Sequence, residues 1–318
     1  MTALLWGLPG DPTMTPVRRA VAALGVPAVF LDQCQVLDTT VELAVGSTVD
    51  GRVRTADGID LDLALVSAAY LRPHDGTRVP AVRDATPGSA RWWHAREVDD
   101  TLTGWAEMTP ALVISRPSAS ASNGSKPAQL REIAACGFAV PETLVTNDPA
   151  AVAGFLARHG EVVYKSTSAI RSRVRRLDRG DVDRLAAVVA CPTQFQGRVP
   201  GTDVRVHVVG AEVFATRIAS DADDYRYAAR QGLPRAELHA TDLPDDVAER
   251  CRMLTSRLGL PVAGVDLRVT PDGDWFCFEV NPSPAFSYYE AGTGQPIAAA
   301  VAGLIAAAVT CVAFRGAR

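Results

Sequence analysis

The sequence predicts a protein of mixed α/β and α+β class, on three observations. Its first third alternates short apolar runs with helical segments, the pattern of a small parallel sheet crossed by helices. A stretch rich in Ser, Asn and Gly, Arg116 to Lys126, separates that region from the rest. Beyond it, two pairs of β-prone runs flank turn signals at Gly210 and at Pro271-Asp272-Gly273, as antiparallel hairpins do.

Ala3 to Leu8 reads as a strand, Thr15 to Leu24 as a helix, and Ala28 to Leu31 and Asp62 to Val66 as further strands. The first turn, GLPGDP, lacks the GxGxxG spacing of a dinucleotide loop and is a plain strand-to-helix turn. After the polar stretch, Pro127 opens a helix that Gly137 closes, and Asp148-Pro149 opens one ending at His159-Gly160. Thr143 to Thr146 is β-prone, and Val162 to Lys165 is an apolar strand that runs into a basic, Ser-rich loop. Val204 to Val209 and Glu212 to Ile218 flank Gly210, Pro244 opens a helix closed by Gly259, and Ala263 to Val269 and Trp275 to Val280 flank the Asp-Gly turn. Ile297 to Phe314 is a long apolar stretch, but its Ala content with Gly303 and Thr310 favours a buried helix over a membrane span.

The 318 residues suffice for two or three domains at about 150 residues each. With 47% hydrophobic and 21% charged residues, the chain is neither disordered nor fibrous. A net charge of -4 argues against nucleic acid as the main partner. Six scattered cysteines form no CxxC pair, and the N-terminus has no basic segment before its apolar run, so a cytoplasmic protein with reduced thiols is expected.

The Asp-Gly turn carries the chemistry. A two-residue loop centred on Asp272-Gly273 places Asp266 opposite Glu279, with Asn281 on the same face, while Val265, Leu267 and Val269 join Phe276, Phe278 and Val280 on the core face. Opposed carboxylates roughly 5 Å apart at Cβ repel, so the pair demands a compensating cation or a raised pKa. Oxygen donors without His or Cys point to magnesium, commonly held by one or two carboxylates plus nucleotide phosphates. The plainer alternative is a solvated strand face whose charge Arg268 offsets. Asn281-Pro282-Ser283-Pro284 ends the ladder and leaves Asn281 at a strand terminus, a usual place for a ligand.

These residues resemble the ATP-grasp ligases. The matching pieces are Lys126, VVYKS with Lys165, QFQGRVPGTDVRVHVVG from Gln194, and GVDLRVTPDGDWFCFEVNPSP with Asp266, Glu279 and Asn281, spanning about residues 115 to 310. SNGSKPAQLREIAACGFAVPETLVTND, DYR at Asp224 to Arg226 and TGQPI from Thr293 look most like the branch of ribosomal-protein glutamate ligases and graspetide maturases of the microviridin type. The resemblance implies an ATP-grasp fold. Residues 1–115 would form an N-terminal α/β (pre-ATP-grasp) domain, 116–192 a central lid, and 193–318 a C-terminal antiparallel-sheet domain with the metal hairpin.

It also implies the ligands. ATP would be held by Lys126, Lys165, Ser166, Thr167, Ser168, Gln194, Phe195, Gln196, Val199 and Asp203, with Gln194 and Gln196 competing at the adenine hinge. Asp266, Glu279 and Asn281 would hold magnesium, as two ions, with manganese as a substitute. Arg205 and Arg217 resemble arginines near an acyl phosphate, and a planar guanidinium suits bidentate capture of carboxylate or phosphoryl oxygens. The loop Ser166 to Arg176 lacks the interleaved aromatics of a nucleic-acid patch and reads as a lid offering Arg171 or Arg173 to the triphosphate.

The implied chemistry is activation of a carboxylate as an acyl phosphate and its capture by an amine or hydroxyl. It needs no protein nucleophile. A precursor peptide with a leader is the expected substrate and a homodimer the expected assembly, with neither nucleic acid nor membrane as partner. An amino-acid-derived small molecule, or a nucleotide-binding module without chemistry, are the alternatives. Asp221 to Arg235, with Tyr225, Arg226, Tyr227 and Arg230, would grip a leader or cover the core. Where peptide maturases continue Asn-Pro-Asn-Gly-Gln, this chain reads Asn281-Pro-Ser-Pro, which puts the acceptor pocket in question and not the nucleotide.

Overall fold

A computed structural model describes residues 1–167, 174–177, 179–220, 225 and 232–315. Ser168, Arg171, Arg173, Asp224, Arg226, Tyr227 and Arg230 lie outside the described residues.

The chain opens with β1 (Thr2–Gly7), α1 (Met14–Ala23), β2 (Ala28–Asp32), β3 (Thr39–Val45), β4 (Val49–Thr55), β5 (Asp60–Asp62), β6 (Val66–Arg72), α2 (Ala90–Met108) and β7 (Leu112–Ile114). Four of these strands form a parallel sheet in the order β2-β1-β6-β7, and β3-β4-β5 form an antiparallel one. The strand expected at Asp62 to Val66 lies one step later. Asp62 accepts a hydrogen bond from the Ala64 N–H at 2.9 Å, which turns Leu63–Leu65 into a 3-10 helix and leaves VSAAYLR to enter the sheet.

Next come α3 (Pro117–Ser120), α4 (Lys126–Ala135), β8 (Thr143–Thr146), α5 (Pro149–His159), β9 (Val162–Ser166), β10 (Arg175–Leu177) and β11 (Thr193–Gly197). The stretch read as a polar separator is therefore helical, with a 3-10 turn at Ala121–Gly124 beyond α3. The four strands pair antiparallel as β10-β9-β11-β8 over a small core of Val152, Phe155, Val162 and Phe195. Last come β12 (Thr202–Val209), β13 (Glu212–Ala219), β14 (Glu237–Thr241), α6 (Asp245–Arg257), β15 (Val262–Val269), β16 (Trp275–Asn281), α7 (Ser287–Thr293) and α8 (Ile297–Arg315). Their five strands form the antiparallel sheet β14-β13-β12-β15-β16, one face of which packs on α4 and α6.

Helix α8 seats the first sheet on the last. Ile297, Val301, Ile305 and Val309 repeat every fourth residue, and this buried stripe meets Ala3, Leu5, Val17 and Tyr70 on one side and Val209, Val262 and Phe286 on the other. No helix among the described residues is long and apolar enough to cross a membrane.

Asp99 on α2 sets a testable feature of stability. It accepts hydrogen bonds from the Gly76 N–H at 2.9 Å and the Gln33 side chain at 3.1 Å, and no cation faces it among the described ion pairs. Burial pushes its carboxyl up to about 6, against the lowering effect of these hydrogen bonds. The native state therefore prefers the protonated acid. The favourable contribution is complete below about pH 4 and is lost as pH rises to about 6, a loss on the order of 2 kcal/mol. Asp99→Asn should flatten urea-unfolding stability between these pH values and exceed the native chain at pH 7.

Candidate active site

Asp266 and Glu279 stand directly opposed across β15 and β16. Two departures from the simple turn cancel to put them there. The Thr270 N–H donates to the Asp274 carbonyl at 2.9 Å and the Gly273 N–H to that of Thr270 at 3.0 Å, so Val269 pairs with Trp275 instead of Phe276. Phe278 then bulges out of the ladder, and the expected pairing returns at Glu279. The core face is corrected accordingly: Cys277 and Val280 are fully buried, whereas Phe276 and Phe278 are half-buried and Phe278 lines the cavity described below.

Each acid faces a cation from another element. Lys126, first residue of α4, places Nζ 2.8 Å from Glu279 Oε1, and Lys165 on β9 places its own 3.8 Å from Oε2. Both lysines are buried, and they are the only lysines in the chain. Arg205 on β12 donates to Asp266 Oδ1 at 2.7 Å. Arg268 does not offset this pair: it binds Asp203 Oδ1 at 2.7 Å and donates to the Val199 carbonyl, also at 2.7 Å. Burial alone would depress the Arg205 guanidinium, but the Asp266 carboxylate outweighs it and holds the group above its ordinary range.

Gln129, unmarked in the sequence, fixes this geometry. Its side-chain amide donates to the Val280 carbonyl and accepts from the Val280 N–H, both at 2.8 Å, so it extends the edge of β16 as another strand would. One helical turn from Lys126 and bonded to the residue after Glu279, it ties the lysine's helix to the carboxylate's strand. Gln129→Leu would orphan two buried backbone groups, and we expect urea unfolding to show a loss of roughly 2 to 4 kcal/mol.

A cavity of about 530 Å³ opens between the small sheet of β8–β11 and the five-stranded sheet. Lys165, Gln196, Val199, Asp203, Asp266 and Glu279 line it. Gln196 also donates to Thr143 Oγ1 at 2.9 Å, bracing β11 on β8. Two of the residues expected to hold the nucleotide do not turn their side chains into the cavity. Phe195 turns into the core beneath the small sheet, because alternation along β11 sends it away from its neighbours, and Gln194 is fully buried without lining the cavity. Gln194 nonetheless pairs with Lys165 in register, and neither of its amide atoms has a hydrogen-bond partner among the described residues. Ser166 and Thr167 follow at the end of β9. Arg217 pairs with Val204 and so leaves its strand on the face opposite Arg205; it is exposed and borders the cavity.

Beyond Arg205 lies an aromatic wall. The Tyr225 and Tyr289 hydroxyls are 2.6 Å apart, and the Tyr289 ring lies 5.8 Å from the Arg205 guanidinium. Burial, then the Asp266 carboxylate, push the Tyr225 phenol up. His207 is buried against Tyr289, and burial together with Arg205 holds it well below its ordinary range, hence neutral.

The donor set suits a hard cation. Asp266 and Glu279 line the cavity with carboxylates, and Asn281, opposite Gly264, carries its carboxamide on the same strand face. Among the described residues no three His, Cys, Asp or Glu side chains stand close enough to hold a metal alone, so a cation here would share its shell with ligand oxygens.

Comparison with known proteins agrees with this arrangement. The model of the RimK-like ATP-grasp domain matches residues 190–305. The macrocyclase MdnC of Microcystis aeruginosa MRC, solved with its precursor peptide MdnA, is 25% identical, with a TM-score of 0.81 over 96% of this chain and 99% of that one. The ATP-grasp ligase PsnB, solved with a minimal precursor variant, Mg and ADP, is 27% identical, with a TM-score of 0.80 over 96% and 98%. A RiPP-associated ATP-grasp ligase of Chryseobacterium gregarium, at 21% identity and a TM-score of 0.80 over 96% of each chain, shares the fold. A search of curated proteins finds no match. A cavity between two sheets, two lysines on one carboxylate and a fold shared along nearly the whole chain thus lead to one conclusion: the chain carries a RimK-like ATP-grasp domain at residues 190–305 and has the fold of ATP-grasp ligases along nearly its whole length.

Proposed function

We propose that the chain uses ATP and magnesium to activate side-chain carboxylates of a ribosomally made precursor peptide and joins them to amine or hydroxyl side chains of the same peptide. The observation that carries this reading is the grouping of Lys165, Asp266 and Glu279 on one cavity wall, with buried Lys126 2.8 Å from Glu279. The likeness to MdnC and PsnB, both solved with precursor peptides, supports the substrate class, because it covers the N-terminal region as well as the nucleotide-binding half.

Lys126 and Lys165 are compact cations suited to the α- and β-phosphates. The backbone from Gln196 to Val199 borders the adenine end of the cavity, held there by the hydrogen bonds of Arg268 and Gln196. Asp266, Glu279 and Asn281 would hold magnesium, which neutralises charge on the transferring phosphoryl group. Arg205, fixed by Asp266, holds a permanently charged guanidinium behind the stretch of cavity wall formed by Asp266 and Tyr225. There it orients the carboxylate that attacks the γ-phosphorus, with ADP leaving. An amine or hydroxyl then attacks the acyl carbon, loses its proton and expels phosphate. His207, neutral and buried behind Arg205, leaves that positive charge uncontested.

The test is product analysis with a Glu/Asp-rich and Thr/Ser/Lys-rich precursor. ADP and phosphate in step with loss of one water from the peptide are expected. AMP as product, or nucleotide turnover indifferent to every peptide offered, would contradict the proposal.

A further inference from the structure

The N-terminal sheet contributes none of the residues assigned above, yet it grips the loop that follows Asn281. Ser115 Oγ, one residue beyond β7, donates to the Pro282 carbonyl at 3.1 Å. Arg72, at the end of β6, donates to Ser283 Oγ at 3.0 Å and to the Pro284 carbonyl at 3.2 Å. Ser283 in turn donates its backbone N–H to Asn281 Oδ1 at 3.0 Å, fixing the rotation of that carboxamide.

Both gripping residues are themselves held. Arg72 also pairs with buried Asp11 at 3.2 Å. Ser115 is the one non-glycine residue with positive φ, at 69°, among those described. A left-handed serine costs on the order of 1 kcal/mol and persists only where its surroundings impose it. Here the next residue imposes it: Arg116 donates to the carbonyls of Ala106, Glu107, Thr109 and Ala111, at 2.5 to 3.1 Å, around the C-terminal end of α2. The strain is spent on aiming one hydroxyl at the loop.

We propose that Ser115 and Arg72 are positioning residues of the metal site, holding Pro282–Pro284 so that the Asn281 carboxamide oxygen is presented to the cation. This rests on the reading of Asn281 as a metal ligand. Groups behind a ligand tune metal affinity as the ligand itself does, typically by 10-fold to 100-fold.

The experiment measures Mn2+ affinity of the full chain in its ADP complex by electron paramagnetic resonance, with metal-free ADP binding by calorimetry alongside. Arg72→Met and Ser115→Gly should each weaken Mn2+ roughly ten-fold and leave metal-free ADP binding within about two-fold of native. Ser115→Gly is the sharper variant, because glycine accepts the positive φ and should hold or raise the melting temperature while metal affinity falls. Asn281→Ala separates the two claims. If it loses Mn2+ while Ser115→Gly and Arg72→Met bind as the native chain does, the positioning role is overturned alone. If Asn281→Ala itself binds Mn2+ natively, the ligand assignment falls and the positioning role with it.

Discussion

Glu279→Gln should reduce ADP formation on the order of a thousand-fold, because one carboxylate faces two lysines and, in the proposed function, a cation. The amide is nearly isosteric, so shape is kept and charge is lost. Lys126, 3% exposed and 2.8 Å from Glu279, would then face a neutral partner. Breaking a buried pair on one side costs roughly 3 to 5 kcal/mol; the 24% exposure of Glu279 tempers this, whereas Lys165 at 3.8 Å from the same carboxylate adds a second cation that loses this counter-charge. The double variant Lys126→Met, Glu279→Gln separates the two effects. It should unfold at higher urea than Glu279→Gln alone yet remain inactive, since the stability defect is an unpaired lysine and the catalytic defect is not.

The second large effect is expected from Gly264→Ala. Gly264 sits opposite Asn281 in the ladder and has no positive φ, so its backbone would accept alanine. The space would not. An added Cβ would lie 1.9 Å from Arg205 Nη2 and 2.4 Å from its Cζ, because the guanidinium lies flat across the glycine to reach Asp266. Arg205 must move, which breaks its 2.7 Å contact and releases a buried charge. Loss of one such oriented donor costs about 100-fold to 1,000-fold in kcat. Gly273→Ala is the control, with φ 90° and nothing within 4 Å of the added carbon. It should lower stability by about 1 kcal/mol through turn strain and leave kcat unchanged.

The sequence carried the signals that are local. Pro and Gly at helix ends, the Gly210 hairpin and the Asp-Gly turn each act through a few adjacent residues, and those elements formed where expected. The opposition of Asp266 and Glu279 was legible for a weaker reason: the wider turn and the bulge at Phe278 shift the register in opposite directions. What escaped were contacts across long separations. Gln129 with Val280, Arg268 with Val199 and Arg72 with Ser283 join residues tens to hundreds of positions apart, and no periodicity marks them. The restriction of lysine to two sites was legible. Thirty other basic residues are arginine, so both lysines stand where a compact cation replaces a planar fork. That the Phe195 side chain packs in the core was not legible, because a motif assigns positions, whereas the pleat decides which side chain faces the cavity.

The central claim is that a substrate carboxylate takes the γ-phosphoryl group of ATP. Precursor peptide bearing heavy oxygen in its side-chain carboxylates tests it in one reaction. If the acyl phosphate forms, the phosphate released with each new bond carries one labelled oxygen and the nucleotide carries none. Unlabelled phosphate accompanying bond formation, or label in AMP, would contradict it.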